Sequence, residues 1–124
     1  MDERLVARLR ASGLEHFFPI QREVVPAMLR VVRSKGAVLG DVCISAPTGS
    51  GKTLAYALPV IESLLDRRVP ALRALVLVPT RDLVQQVAAV FEAYCAGTPL
   101  RVATAMGQVS LARERERMGL RADG

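Results

Sequence analysis

The chain has no tryptophan, and aromatic residues make up only 4% of its 124 residues, so any core must be built mainly from aliphatic side chains. Its two cysteines, Cys43 and Cys95, are 52 positions apart and outside any C-x-x-C pattern. They give no sign of an oxidising compartment, and Cys43, inside an apolar run, is expected to be a buried thiol. No apolar stretch reaches membrane-spanning length, because Pro, Arg and Glu interrupt each one. Met1-Asp2-Glu3-Arg4 opens an amphipathic pattern and not a signal-peptide core. Internal repeats and low-complexity tracts are absent too. What is present is 51% hydrophobic residues at a mean hydropathy of +0.27, enough for one globular domain with a modest core. The net charge of +5 comes almost entirely from Arg. Such a balance suits an anionic partner, although a basic surface without one is common.

Periodicity divides the chain into alternating helices and apolar runs. Leu5, Val6 and Leu9 share a face, so residues 3–11 read as a short helix stopped by Gly13. Pro19 is a favourable first-turn residue for a second helix reaching about Ser34, with Ile20, Val24, Ala27, Met28 and Val31 as its apolar stripe. Pro26 is expected to kink or interrupt it. After a loop over 34–40, residues 42–45 form an apolar run that reads as a buried strand. Residues 52–66 read as a helix facing Leu54, Leu58, Ile61 and Leu65 inward, interrupted at Pro59. A connection over 67–70 leads to residues 74–78, the clearest strand. A helix follows over 81–95, then a third strand over 100–105 and a polar helix over 110–117. The alternation predicts an α/β fold: a parallel sheet of about three strands with flanking helices and right-handed crossovers. That geometry would gather the loops at 46–53, 79–81 and 106–108 on one ligand-binding rim.

The first of these loops carries the most chemistry. Ala46-Pro47-Thr48-Gly49-Ser50-Gly51-Lys52-Thr53 matches G-x-x-x-x-G-K-T with Ala in place of the first Gly, between a strand-like and a helix-like segment. Small residues let the backbone curl so that successive N–H groups face anionic oxygens. The following helix adds its unpaired N–H groups and positive dipole end. Lys52 supplies a point charge for the outer phosphates and Thr53 a hydroxyl for Mg²⁺. The run therefore reads as a nucleoside triphosphate site; the competing reading is a Gly/Ser-rich turn with a chance Lys.

Three segments in order resemble the DEAD-box RNA helicases. Gly13-Leu14-Glu15-His16-Phe17-Phe18-Pro19-Ile20-Gln21 is similar to that family's adenine-recognising glutamine motif. The loop at 46–53 with Leu54-Ala55-Tyr56 resembles its phosphate-loop motif, and Pro79-Thr80-Arg81-Asp82-Leu83-Val84-Gln85-Gln86 its RNA-touching P-T-R-E-L-A-x-Q motif. The wording around them looks most like the branch that acts in large ribosomal subunit assembly. The resemblance implies part of a RecA-like ATP-binding domain over 1–124, with ATP and Mg²⁺ held by Gln21 and 46–53. Lys52 and Thr53 would be its catalytic residues. It further implies RNA, of pre-ribosomal kind, on Pro79, Thr80, Arg81, Gly107 and Gln108, with rRNA processing in the nucleus and nucleolus as the setting and no membrane partner. Gln21 suits adenine because an amide can pair bidentately with N6 and N7; on its own it would equally well decorate a helix. Leu14 takes the position of the aromatic that the family packs on the adenine face. Thr80 either caps its helix, contacts phosphate, or both, with Arg81 as phosphate ligand or solvated cation. Gly107-Gln108 stands where the family has Gly-Gly. His16 carries no chemistry in this reading, and the alternating charges at 113–117 read as a solvated helix face.

The family's D-E-A-D and S-A-T sequences do not occur among the 124 residues, nor does anything resembling its second RecA-like domain. Phosphoryl transfer needs a carboxylate for Mg²⁺ and a group that orients water. The chain by itself is therefore expected to bind without turning over. The alternatives are a truncated, non-catalytic nucleotide- or RNA-binding module, and a different P-loop enzyme such as a small kinase, against which Gln21 and Pro79-Thr80-Arg81 speak.

Overall fold

The computed structural model describes residues 1–34, 40–66, 71–107 and 110–119. The interior of the expected 34–40 loop, the 67–70 connection and Gln108 lie outside the described residues. Five helices follow in order: α1 (Glu3–Ala11), α2 (Pro19–Arg33), α3 (Lys52–Leu64), α4 (Arg81–Cys95) and α5 (Leu111–Arg117). Asp2 caps α1, accepting from the Arg4 amide at 2.9 Å. The Arg4 side chain and backbone together lower the Asp2 carboxyl to about 2. Thr80 caps α4, its Oγ1 accepting from the Leu83 amide at 3.3 Å. None of the described helices is long and apolar enough to cross a membrane.

Buried side chains of α3 hold the helices together. α3 packs on α2 and α4, and α1 packs on α4. One cluster joins Leu5, Ala57, Ile61, Leu65, Val87 and Phe91 with Cys95. A second joins Leu9, Val25 and Leu58, with Leu14 and Phe17 packed against it. The core is aliphatic as the composition requires; among the described residues Tyr56 and Phe91 form a ring pair, centroids 6.3 Å apart. Polar ties fix the helix ends. Glu62 accepts from the Asp2 amide at 2.8 Å and from Arg33 at 3.1 Å. Arg8 Nε donates to the Ala96 carbonyl just past α4 at 3.0 Å.

Neither proline interrupts its helix. α2 runs through Pro26 and α3 through Pro59 without a break. Each ring removes one backbone donor, but the helices are held by packing of their flanking turns, and Pro59 is itself buried. Of the expected α2 stripe, Val24 is buried and Ile20, Ala27, Met28 and Val31 are half-buried, and Gln21 and Val25 join them as buried residues.

The expected parallel sheet is not seen: among the described residues no strand is present. The three apolar segments are there, but they run without a hydrogen-bond ladder. Burial still alternates with the period of an extended chain over 101–106, where Val102, Thr104 and Met106 are half-buried and their neighbours exposed. Val78, Leu100 and Val102 rest against the first cluster. Their outer sides are open: Leu75 is 74% and Leu77 84% exposed. A parallel strand is stabilised by neighbours along its edges and cover on both faces; Leu75 and Leu77 lack such cover. Cys43 is exposed, against expectation, while Cys95 is buried and its thiol pushed up by desolvation.

Candidate functional site

The phosphate-loop sequence folds as a turn that feeds α3. The Ser50 amide donates to the Pro47 carbonyl at 3.3 Å. Gly49 and Gly51 sit at φ 78° and 84°, in the left-handed region that glycine enters without strain. Gly51 is the N-cap of α3, and no side chain caps that end. The first-turn N–H groups are therefore left to an external acceptor. Lys52 Nζ folds back and donates to the Ala46 carbonyl at the start of the loop, so an incoming phosphate would exchange one oxygen for another around the ammonium. Ser50 Oγ is buried without a hydrogen-bond partner, an orphan donor inside the cradle. Thr53 lies in the first turn of α3 and is half-buried, while Pro47, Thr48 and Gly49 are exposed.

Gln21 is brought onto this loop. The residue is 2% exposed, the one buried polar residue among the described residues. Its Oε1 accepts from the Phe18 amide at 3.0 Å, half of a capping box for α2. Its Nε2 donates to the Gly51 carbonyl at 3.2 Å. That carbonyl also accepts from the Ala55 amide at 3.2 Å, the first bond of α3. Approach here is close: a Cβ at Gly51 would collide with Gln21 Nε2 and stand 3.0 Å from Phe18 Cδ2. Gln21 therefore ties the starts of two helices to the phosphate loop.

Between those two helix starts lies an open cavity of about 380 Å³. One wall is Phe18, Pro19, Ile20 and Glu23. The other is the loop itself, through Ala46, Pro47, Gly49 and Ser50. Phe18 and Glu23 were not singled out by the sequence. The available signals were the double Phe before Pro19, and the i, i+4 spacing that puts Pro19 and Glu23 on one helix face. Leu14 is not part of this wall. It is packed against Leu9, Val25 and Leu58, on the core side of α2.

The other expected groups stand apart from the loop. Pro79, Thr80 and Arg81 are exposed at the start of α4. Thr80 Oγ1 accepts one bond in its cap, and its hydroxyl hydrogen remains able to donate. The Gly107 amide donates to Glu114 Oε1 at 3.1 Å, and the Met106 amide to the same oxygen at 3.3 Å. The backbone expected to meet an RNA phosphate thus already holds a carboxylate. Among the described residues no hydrogen bond or ion pair joins Thr80, Arg81 or Gly107 to the phosphate loop, and no cluster of side chains suited to hold a metal by itself occurs.

Comparison with known proteins places these features. The family model described as DEAD/DEAH box helicase matches residues 18–123. The chain is 49% identical over 118 residues to mouse "ATP-dependent RNA helicase DDX51", covering 90% of this chain and 18% of the mouse protein. It is 51% identical over 114 residues to "DEAD-box ATP-dependent RNA helicase 1" of rice, covering 92% of this chain and 21% of the rice protein. With "ATP-dependent RNA helicase dbp6" of Schizosaccharomyces pombe the identity is 44% over 119 residues, 19% of that protein's length. The chain thus spans about a fifth of the curated relatives it matches. Among solved structures, a hypothetical ATP-dependent RNA helicase from Sulfolobus tokodaii superimposes with a TM-score of 0.78 at 29% identity, over 96% of this chain and 31% of that one. The helicase Prp28 from Chaetomium thermophilum, bound to ADP, gives 0.77 at 29% identity, over 92% and 27%. The fold is that of RecA-like helicase domains, and the chain belongs to the DEAD/DEAH box helicase family.

Proposed function

We propose that residues 1–124 form the nucleotide-gripping, RNA-touching part of the first RecA-like domain of an ATP-dependent RNA helicase. Its setting would be pre-ribosomal RNA in the nucleolus. The relatives at 44–51% identity are named as ATP-dependent RNA helicases, and a structural neighbour is described as bound to ADP. The observation that carries the nucleotide reading is local. A glycine turn at positive φ, an uncapped helix start, an orphan hydroxyl at Ser50 and Lys52 converge on one cradle. Gln21 braces it from behind.

In this reading the loop amides and Lys52 hold the phosphates, Thr53 offers its hydroxyl to Mg²⁺, and Gln21 turns its remaining amide capacity toward the adenine edge. Bound Mg²⁺ would neutralise phosphate charge. Thr80 and Arg81 take backbone phosphates of single-stranded RNA, without reading bases. Gly107 joins them where RNA phosphate displaces the Glu114 carboxylate. The family's D-E-A-D carboxylates, absent from these 124 residues, and a second RecA-like domain would supply the remaining groups for turnover; this chain alone binds and does not hydrolyse. The test is calorimetric titration of the chain with ATP and Mg²⁺. Binding is expected for the wild-type chain and not for Lys52→Ala, and equal heats from the two would overturn the assignment.

A further inference from the structure

The extended segment 101–106 ends in a bend that already holds an anion. Gly107 sits at φ 70°, which aims its amide and that of Met106 to the same side, as a backbone nest for negative charge. Glu114 of α5 fills that nest. Its Oε1 accepts from the Gly107 amide at 3.1 Å and from the Met106 amide at 3.3 Å. Both bonds are longer than the about 2.7–2.9 Å of a strong charge-assisted hydrogen bond, so the carboxylate is held loosely. The nest lies at the surface: Gly107 is exposed, and nothing stands within 4 Å of where its Cβ would be. Little else ties α5 down. Glu114 is the helix's one half-buried side chain among the described residues, and no described α5 residue joins either core cluster. Arg117 is exposed one turn further along the same helix face and makes no ion pair among the described residues. Its guanidinium draws anions toward the nest, and it offers the Glu114 carboxylate an i, i+3 partner once that carboxylate leaves.

We propose that Glu114 is an internal stand-in for RNA phosphate, a latch that closes the 106–107 nest in the RNA-free chain. A strand held by Thr80 and Arg81 exchanges its phosphate for the carboxylate and so frees α5. The inference rests on the RNA reading above and adds the regulation of that site. Phosphate and carboxylate compete for the same two N–H groups, so the affinity for RNA is reduced by the share of chains in which the latch is closed. The competition is indifferent to base sequence, because the nest meets only backbone oxygens. The exchange leaves both amides satisfied in either state, so its cost is small. α5 then reports occupancy: docked through Glu114 without RNA, undocked with it.

The experiment titrates a labelled single-stranded oligouridine with the full chain and follows its anisotropy. Glu114→Ala is expected to tighten RNA binding by about three- to ten-fold, the worth of one or two ordinary hydrogen bonds released from competition. Glu116→Ala removes the same charge from an exposed position on the same helix. It should change affinity by less than about two-fold, since exposed charges are screened. Unchanged or weaker RNA binding by Glu114→Ala, or equal tightening by Glu116→Ala, overturns the latch. A second measurement needs no variant: the side-chain carboxyl signal of Glu114 in the isotope-labelled wild-type chain, followed by NMR. Saturating RNA should move that signal to the position of a solvated carboxylate, while the Gly107 amide stays protected from exchange. A Glu114 signal that RNA leaves in place overturns the latch, whatever the variants do. Arg81→Ala separates the two readings. If it weakens RNA binding while either latch test fails, the RNA surface stands without the latch. No RNA binding by the wild-type chain or by Glu114→Ala removes both.

Discussion

Gln21→Leu should destabilise the chain even when no nucleotide is present. A glutamine that served only to read adenine would be silent in the empty protein. Here the amide is 2% exposed and makes two hydrogen bonds, accepting from Phe18 N–H at 3.0 Å and donating to Gly51 C=O at 3.2 Å. Leucine fills a similar volume, so no cavity term is added. The substitution removes the α2 capping bond, a loss of about 0.5–2 kcal/mol. It also takes one donor from the Gly51 carbonyl, at about 1–3 kcal/mol if that acceptor were left unsatisfied. The upper end does not apply, because Gly51 C=O keeps its bond from Ala55 N–H at 3.2 Å and Phe18 is half in solvent. The sum is about 1–3 kcal/mol. With a urea m-value of about 1–3 kcal/mol/M for a small protein, the midpoint falls by about 1 M. The assay is urea unfolding followed by helical circular dichroism, without nucleotide. Gln21→Glu should be worse than Leu, since it turns a buried carboxylate oxygen toward the Gly51 carbonyl. A midpoint shift below about 0.2 M for Gln21→Leu would refute the bracing role.

Other perturbations follow from the same contacts. Gly51→Ala places a Cβ against Gln21 Nε2 and the Phe18 ring at φ 84°, so it should abolish ATP binding and lower the unfolding midpoint; an alanine variant that binds normally would show that the loop does not need this geometry. Arg81→Ala should weaken single-stranded RNA of every sequence alike and reduce the salt slope by about one counterion; a loss confined to particular base sequences would contradict phosphate contact. Exposure of Leu75 and Leu77 should make the isolated chain bind a hydrophobic dye and self-associate. A dye-silent, monodisperse monomer with a sharp thermal transition would show that those faces are covered in solution.

The helices were legible from local chemistry because their boundaries depend on local groups. Thr80 caps α4, Pro19 opens α2 and Gly51 precedes α3, and each boundary stands where those residues put it. The sheet was not, because a strand exists only with a neighbour at ladder distance. The apolar runs at 42–45, 74–78 and 100–105 specify a preference without specifying a partner. Pro26 and Pro59 misled for a related reason: tertiary packing held a helix through a residue that an isolated helix would not tolerate. At the site, the phosphate loop was marked by its motif, whereas the bond from Gln21 to Gly51 was not. The positions of Phe18 and Leu14 were not. Which of two nearby apolar residues enters the core depends on the rotation of α2, whose fully buried residues include Gln21 and Val25 beside the expected Val24.

The central claim is that the cradle at 46–53 and the start of α2 form one adenine-nucleotide site. The most direct measurement is parallel calorimetric titration of the chain with ATP and GTP in the presence of Mg²⁺. The account predicts that both bind, with ATP the tighter because Gln21 pairs with the adenine edge and meets the wrong pattern on guanine. Equal affinities for ATP and GTP would contradict it.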